Sequence, residues 1–406
     1  MGLGFFTQQA AVRPAVGLEP ACGLCGLWKG CKSPKMKVAG QGRRGILVVG
    51  EAPGQTEDDQ GKPFIGKAGQ LLQRYLRAVG VDLFKDCWVA NAARCRPKDN
   101  ILPEKAIGHC RPFTVNDINE LKPTAIILLG GSAIRSVIGW LWRESVGEVG
   151  RWVGWKIPAQ RVNAWLCPTW HPSYLARQEG KRDYPLLEML FIRHLKAAVQ
   201  AADRGSPWET VPDYATQVQT TMDPDFAAHT IRCLMAEGTP LFSFDFETDR
   251  IKPDHPDARI ICCAVSNGDK TLAYPWHGAA ITATKELLES SIPKLGYNQK
   301  FEIRWSRRFG IRVRNWVWDG MLGAHVLDNR SGVTGLEFQA FALLGQEPWD
   351  QAVEPYIRSK GGGNSANRLA EAPLEQVLKY CGLDALLEYH VTRKQMKQMK
   401  QMGLEP

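Results

Sequence analysis

GILVVGEAPGQTEDDQGKPFIGKAGQLL, residues 45–72, decides how the first half of the chain is read. Ile46-Leu47-Val48-Val49 is an apolar run of the kind that fills a buried strand of a parallel sheet. The run stops at Gly50, and Glu51-Ala52-Pro53-Gly54 follows as a rigid turn. In open α/β sheets, the loops at the carboxyl ends of the strands form the ligand crevice. A second glycine-rich loop, residues 61–66, carries one large apolar side chain, Phe64. Leu71, Leu72, Tyr75, Leu76 and Val79 then recur at helical spacing. Between strand and helix the spacing predicts a long acidic loop with Glu51, Glu57, Asp58 and Asp59. Its bracing by glycine and proline points to a built pocket.

Further strands are expected on both sides. Cys87-Trp88-Val89-Ala90 reads as the next strand, ending at Asn91. Residues 125–129, AIILL, read as another, stopped by Gly130-Gly131, with Ser132 as the expected cap of the following helix. Trp165-Leu166-Cys167 leads into Thr169-Trp170-His171-Pro172, and residues 184–201 read as a closing helix. Residues 140–165 are rich in tryptophan and glycine and give no clear period. Apolar strands alternating with helices predict a small α/β domain. Residues 1–20 are expected to be a loose arm. Residues 22–42 are rich in Gly, Lys and Cys, without strand or helix pattern, and need a staple.

At 406 residues the chain is long enough for two domains. Its net charge of +9 is unevenly spread. Residues 1–205 hold 29 Lys and Arg against 17 Asp and Glu, a net +12, while residues 206–406 hold 22 against 25, a net −3. A basic half suits a polyanion such as DNA. An acidic half binds DNA poorly unless metal ions offset its carboxylates. No apolar run is long enough to cross a membrane and no secretory pattern opens the chain, so a cytoplasmic protein without a membrane partner is expected. The 11 cysteines are odd in number and uneven in spacing, unlike a disulfide framework. Cys22, Cys25, Cys95 and Cys110 have the right number for a metal site, and by spacing alone they fit an iron–sulfur cluster and zinc equally, with a redox CxxC or chance spacing behind them. Cys31 lies nearby and is not assigned.

The motifs GEAPG, Glu57-Asp58, GKPFIGKAGQLL, NAARCRP (residues 91–97) and PTWHPSYLAR (residues 168–177) stand in order over the first half. Together they resemble the family 4, iron–sulfur uracil-DNA glycosylases. The resemblance implies a [4Fe–4S] cluster on Cys22, Cys25, Cys95 and Cys110, chiefly structural. A glycosylase must extrude its nucleotide into a pocket. The resemblance implies that Gly50, Glu57, Phe64 and Asn91 bind the substrate: Phe64 offers a flat apolar surface, Asn91 reads the base edge, and Glu57 lines the pocket against the thymine methyl. His171 would stabilise charge developing on uracil O2, and Glu51 would position the water. Where relatives show CRPP-x-NR, this chain has Cys95-Arg96-Pro97-Lys98-Asp99-Asn100-Ile101, so that loop's DNA contacts are expected to differ.

Residues 203–223 are polar and proline-bearing, and residues 206–223 read as the linker, with a helix next. In Leu241-Phe242-Ser243-Phe244-Asp245-Phe246-Glu247 the strand period sends three phenylalanines one way and Asp245 and Glu247 the other. Adjacent carboxylates repel unless a cation lies between them. Asn298 and Glu302, and Tyr380 and Asp384, are spaced i, i+4 and are expected to share helix faces. Residues 361–365, GGGNS, read as a flexible loop. DFET, GYNQKFEIRW, WDGMLGAHVLD and YCGLDALLEY resemble the 3′–5′ exonuclease domain of family A DNA polymerases, of the type with four carboxylates and a tyrosine. The resemblance covers about residues 224–400 and implies an RNase H-like fold. It places Asp245, Glu247, Glu302 and Asp384 on two Mg²⁺ or Mn²⁺ ions, with Tyr380 orienting the attacking water. Glu302 stands where that family has Asp.

The expected protein is therefore two α/β domains. Residues 1–205 form a parallel-sheet glycosylase domain, and residues 224–406 an exonuclease domain. It would excise uracil from single- or double-stranded DNA and remove nucleotides from 3′ ends. No polymerase domain is expected after the last motif, and such a fusion fits phage or mobile-element replication, hence a host cytoplasm. The alternative is an accessory subunit that proofreads for, or docks, a separate DNA polymerase in trans, with a uracil-sensing first domain. Another keeps the glycosylase fold with a modified pyrimidine as its base.

Overall fold

In the computed structural model, residues 19–358, 361 and 363–404 are described. Most of the expected N-terminal arm, residues 1–18, lies outside the described residues, as does Gly362 of the expected flexible loop. The chain divides into two units, Met1–Glu209 and Thr210–Pro406.

The first unit is built on a five-stranded sheet in the order β2-β1-β3-β5-β4. Its strands are β1 (Ile46–Gly50), β2 (Cys87–Asn91), β3 (Ala125–Leu129), β4 (Ile157–Ala159) and β5 (Ala164–Thr169). All pair in parallel except β4, which turns back on β5 and accounts for part of the tryptophan-rich stretch. β1 and β3 are buried at every residue, as expected of central strands covered on both faces. Ile46 and Val48 join a core with Leu72, Tyr75, Leu76, Phe191 and Leu195, drawn from the helices Lys67–Ala78 and Tyr184–Asp203. Leu47 and Val49 are buried on the other face. Full burial of each such side chain contributes about 1.5–3 kcal/mol.

Two local expectations are corrected. Residues 55–60 form a short helix, Gln55–Gln60, between its flanking glycine turns. It carries acids rather than an apolar stripe, so hydrophobic periodicity did not reveal it. Glu57 holds it by accepting hydrogen bonds from Gly54 N–H (3.2 Å) and Gly66 N–H (2.8 Å). Asp58, buried, accepts from the amides of Lys32 and Ser33 and so anchors the cysteine-rich segment. Ser132 does not cap the helix Gly130–Leu141; it lies inside its first turn, and Leu129 occupies the cap position.

The second unit holds a six-stranded mixed sheet in the order β11-β10-β7-β8-β9-β6. Its strands are β6 (Val218–Thr220), β7 (Phe242–Thr248), β8 (Ile260–Ser266), β9 (Thr271–Pro275), β10 (Lys294–Gly296) and β11 (Trp316–Asp319). β6 belongs to this sheet, so the unit begins before residue 224 and the linker is shorter than residues 206–223. Phe242, Phe244 and Phe246 enter one core with Trp305, Tyr274 and Leu287. The long helix Leu374–Met402 crosses the other face, where its Cys381 and Ala385 pack with Cys262 and Ala264 of β8. Among the described residues, no helix is long and apolar enough to cross a membrane.

Candidate active sites

In the first unit the carboxyl ends of β1, β2, β3 and β5 all open on the same edge, because these strands are parallel. Gly50 and Glu51 end β1, Asn91 ends β2, Gly130 and Ser132 follow β3, and His171 follows β5. β1 and β3 are neighbours whose connections leave in opposite directions, the switch point at which α/β sheets open a crevice. Ser132 spans it, its hydroxyl 3.1 Å from Glu51 Oε2 as donor.

Phe64 is held over this edge in the left-handed region, at φ +59°. For a bulky residue that conformation costs about 1–2 kcal/mol. Gln73 Nε2 donates to the Phe64 carbonyl (3.0 Å), and Gly69 lies so close beneath that an added Cβ would meet that oxygen at 2.1 Å. Gly50 is needed for a similar reason: a Cβ there would come within 2.5 Å of the Phe64 ring and 2.6 Å of Asn91 Oδ1. Gly50 thus lets the ring and the carboxamide meet over the strand end. Both Phe64 and Asn91 are buried, and Phe64 joins the core. Glu57, expected to line the pocket, has one oxygen on each glycine turn and serves as their brace.

His171 caps the helix Pro172–Gln178: its Nδ1 accepts from Ser173 N–H at 3.2 Å. The Ser173 hydroxyl is 2.7 Å from the same nitrogen. An Nδ1 that accepts leaves the ring proton on Nε2. Burial pushes the imidazole below its usual pKa, with the Glu51 carboxylate acting the other way and Arg177 adding to burial. Burial thus favours the neutral ring with its proton on Nε2.

Cys22, Cys25, Cys95 and Cys110 line one small cleft, together with Leu27, Trp28, Ala93, Phe113, Arg94 and His109. Two of the sulfurs accept backbone N–H bonds at 3.2 Å, Cys95 from Lys35 and Cys110 from Arg94. Sulfurs receiving amide hydrogen bonds in an apolar cage suit a thiolate-held cluster. Cys31 lies beside the set: its thiol is directed at the carbonyls of Leu27 (3.2 Å) and Arg96 (3.5 Å) and its side chain also interacts with Cys95. The divergent loop that follows Cys95 forms a short 3₁₀ turn, Lys98–Asn100, with Asp99 and Asn100 left-handed and Ile101 exposed.

In the second unit, Asp245 and Glu247 project from β7 toward the helix Leu374–Met402. Asp384 accepts from Trp349 Nε1 at 2.8 Å and is hydrogen-bonded to Tyr380, one turn earlier. Glu302 arrives from the helix Lys300–Arg308 and is buried, with Oε2 lacking a hydrogen-bond partner. Asn298 does not share that helix with it. It precedes the helix at φ +62°, where its amide donates to Asp319 at 3.2 Å. Burial raises Asp245 to about 7, with the Cys381 thiol working against it. Burial also lifts Glu247, Glu302 and Asp384 well above the carboxylate range, and the Asp245 charge adds to it in each case. A fifth acid, Glu388, one turn beyond Asp384, is buried, shares this rise and has an unpartnered Oε2.

Residues 39–196 match the uracil DNA glycosylase superfamily, and residues 220–400 match a 3′–5′ exonuclease family. The type-4 uracil-DNA glycosylase of Pyrobaculum aerophilum is 36% identical over 167 residues, which is 40% of this chain and 82% of that protein. The chain belongs to the type-4 uracil-DNA glycosylases. Its second unit carries a 3′–5′ exonuclease domain. DNA polymerase I of Chloroflexus aurantiacus is 28% identical over 170 residues, 40% of this chain but only 17% of that protein. A DNA polymerase of Bacillus phage SP01 is 22% identical over 330 residues, 73% of this chain and 34% of that protein.

This glycosylase–exonuclease chain is thus an enzyme with two hydrolase domains. Its structure adds groups that motif reading passed over. Ser132 lies three residues past β3, inside the first turn of its helix rather than at its cap. Trp349 lies outside every motif, and Cys381 lies inside YCGLDALLEY beside the tyrosine that drew attention there. Glu388 was visible in principle, because Tyr380, Asp384 and Glu388 repeat at i, i+4 and i+8 along one helix stripe.

Proposed function

We propose that the first unit excises uracil from DNA by hydrolysis of the N-glycosidic bond. The observation that carries this is the gathering of Glu51, Asn91 and His171 at the carboxyl ends of parallel strands, beside Phe64. The extruded base rests against Phe64 and Gly50, and the Asn91 carboxamide reads its edge. As the C1′–N1 bond breaks, negative charge grows on uracil O2. His171, neutral and with its proton on Nε2, donates to that oxygen without first losing a charge. Glu51, oriented by the Ser132 hydroxyl, positions the water. The four cysteines would hold a [4Fe–4S] cluster, whose contribution is to tie the N-terminal segment to the loop after β2 and to the helix Glu104–Leu121. Purified protein should be brown, and dithionite should bleach it. Stoichiometric zinc in a colourless protein would contradict the cluster.

For the second unit the reading is removal of nucleotides from 3′ ends by two-metal hydrolysis. Crowded carboxyls that raise one another's pKa, with the buried Glu302 Oε2 lacking a donor, fit cation ligation. Asp245, Glu247, Glu302 and Asp384 would hold two Mg²⁺ or Mn²⁺ ions, which when bound stabilise the attacking and leaving oxygens. Tyr380 orients the attacking water. The test for both activities is 3′-labelled single- and double-stranded uracil-containing DNA, incubated with and without Mg²⁺. Abasic sites without Mg²⁺ and 3′ shortening with it are expected. Intact DNA under both conditions would overturn the reading.

One observation favours a second reading, in which the two units serve a DNA polymerase acting in trans. The match to the phage polymerase, at 330 residues, is longer than either unit and so runs across both. On that reading the chain should increase extension of a mispaired 3′ end by a polymerase that lacks proofreading. The Asp245→Ala, Glu247→Ala double variant should not.

A further inference from the structure

The acidic centre of the second unit contains a sulfur. Asp245, Glu247 and Cys381 each present one ligand atom, and the three atoms lie within 4.8 Å of one another. Cys381 Sγ is 3.6 Å from Asp245 Oδ2. The arrangement follows from two periods. Alternation along β7 puts Asp245 and Glu247 on the face that the helix Leu374–Met402 crosses. Cys381 is buried on that helix, while the two carboxylates remain partly exposed and reachable. Asp384, expected on the same ion, has one oxygen committed to Trp349 Nε1. A second feature points to a cation here. Glu302 Oε2 is buried without a donor, and the strongest charge acting on Glu302 is that of Asp245. A carboxylate oxygen in that position is costly unless a cation or donor meets it.

We propose that Asp245, Glu247 and Cys381 form a mixed oxygen–sulfur metal site, so that this centre takes a thiophilic divalent cation of the zinc and cadmium class in preference to Mg²⁺. The inference rests on the exonuclease reading for its purpose and departs from it at one ion, where Cys381 rather than Asp384 joins Asp245 and Glu247. Mg²⁺ wants oxygen ligands in an octahedron and keeps its waters, whereas a thiolate favours softer ions. Three protein ligands with a fourth position open is the pattern of catalytic rather than structural zinc. On binding, the Cys381 S–H bond breaks, its proton leaves to solvent and the sulfur–metal bond forms.

The test uses the full chain with its cluster intact, the metal ions alone as probes, and the variants Cys381→Ser and Cys381→Ala. Calorimetric titration gives the ratio of Cd²⁺ to Mg²⁺ affinity, and difference spectra report the ultraviolet thiolate–cadmium charge-transfer band. The ratio should fall by about tenfold or more in both variants, with loss of the band. A ratio and band unchanged from the parent overturn the proposal. Cys381→Ser nearly preserves volume, so it decides the matter if Cys381→Ala fails to fold. If the parent degrades 3′ ends with Mg²⁺ while the ratio does not move, this inference alone fails. If no divalent ion supports degradation, the exonuclease reading fails, and the affinity ratio still judges the site.

Discussion

His171 and Asp245 each sit at the heart of one site, and burial drives both toward their uncharged forms. The imidazole falls below its usual pKa, and the carboxyl rises to about 7. The consequences are opposite. On the proposed excision mechanism, neutral His171 is the working state, because Nδ1 is occupied by Ser173 and the ring proton lies on Nε2. Neutral Asp245 is an idle state, because a protonated carboxyl cannot hold a cation. If the proposed functions hold, one effect, desolvation, prepares the first site to act with its own donors and leaves the second in need of an ion.

Removing the carboxylates should break this comparison most sharply. Asp245→Ala together with Glu247→Ala should abolish 3′–5′ degradation on 3′-labelled DNA. Uracil excision by the same protein should persist, in EDTA as well. Loss of excision from a folded double variant would mean that the two sites are not independent. Next in size, His171→Ala and Asn91→Ala should each slow excision by about 10²–10³-fold, the usual loss for one transition-state donor. Parental rates in both would remove the pocket. The pH profile of kcat/KM sharpens the point. His171 is neutral to below the ordinary imidazole value of about 6.5, so the acid limb should lie beneath it. A limb above that value would show the imidazolium to be the resting form.

The parts of both sites legible in the sequence are those that one element determines alone. Ile46-Leu47-Val48-Val49 can only be a buried strand, and alternation at Phe242, Phe244 and Phe246 sends Asp245 and Glu247 to the other face whatever packs there. What depends on a second element was not legible. Ser132 has an ordinary place in its helix, and only the adjacency of β3 to β1 brings it to Glu51. Cys381 meets Asp245 because of where the long helix crosses the sheet, which no local pattern states. Asn298 looked helical by spacing, but its left-handed backbone comes from capping by Asp319, 21 residues away.

Ser132 gives a smaller and more selective test. Ser132→Ala deletes one hydroxyl that orients a carboxylate, and hydrogen bonds to charged groups contribute about 1.5–3 kcal/mol. Excision should slow by about tenfold or somewhat more, chiefly in kcat, since the hydroxyl touches Glu51 rather than the base pocket. A rise in KM with kcat unchanged would place Ser132 in substrate binding.

The smallest expected effect concerns stability. Asp245, unfolded, loses its proton near the ordinary carboxyl value of 3.8, but folded and metal-free it keeps the proton up to about 7. A raised folded pKa means that the folded state binds the extra proton. Its contribution is therefore full below the unfolded value and is lost as pH rises through about 7. Glu247, Glu302 and Asp384 are raised in the same direction, so their losses fall on the same alkaline side. In EDTA, the unfolding midpoint of the second unit should drop by a few degrees between pH 5 and pH 8, in line with about 2–4 °C per kcal/mol for a domain of this size. Adding divalent ion should restore it at pH 8 and do little at pH 5, because bound cation replaces the protons. The first unit, whose buried His171 is shifted the other way, should not lose stability over that range. A second-unit midpoint that stays level from pH 5 to pH 8 in EDTA would mean that the acids relieve one another without an ion. The contrast between the two sites would then be one of composition only.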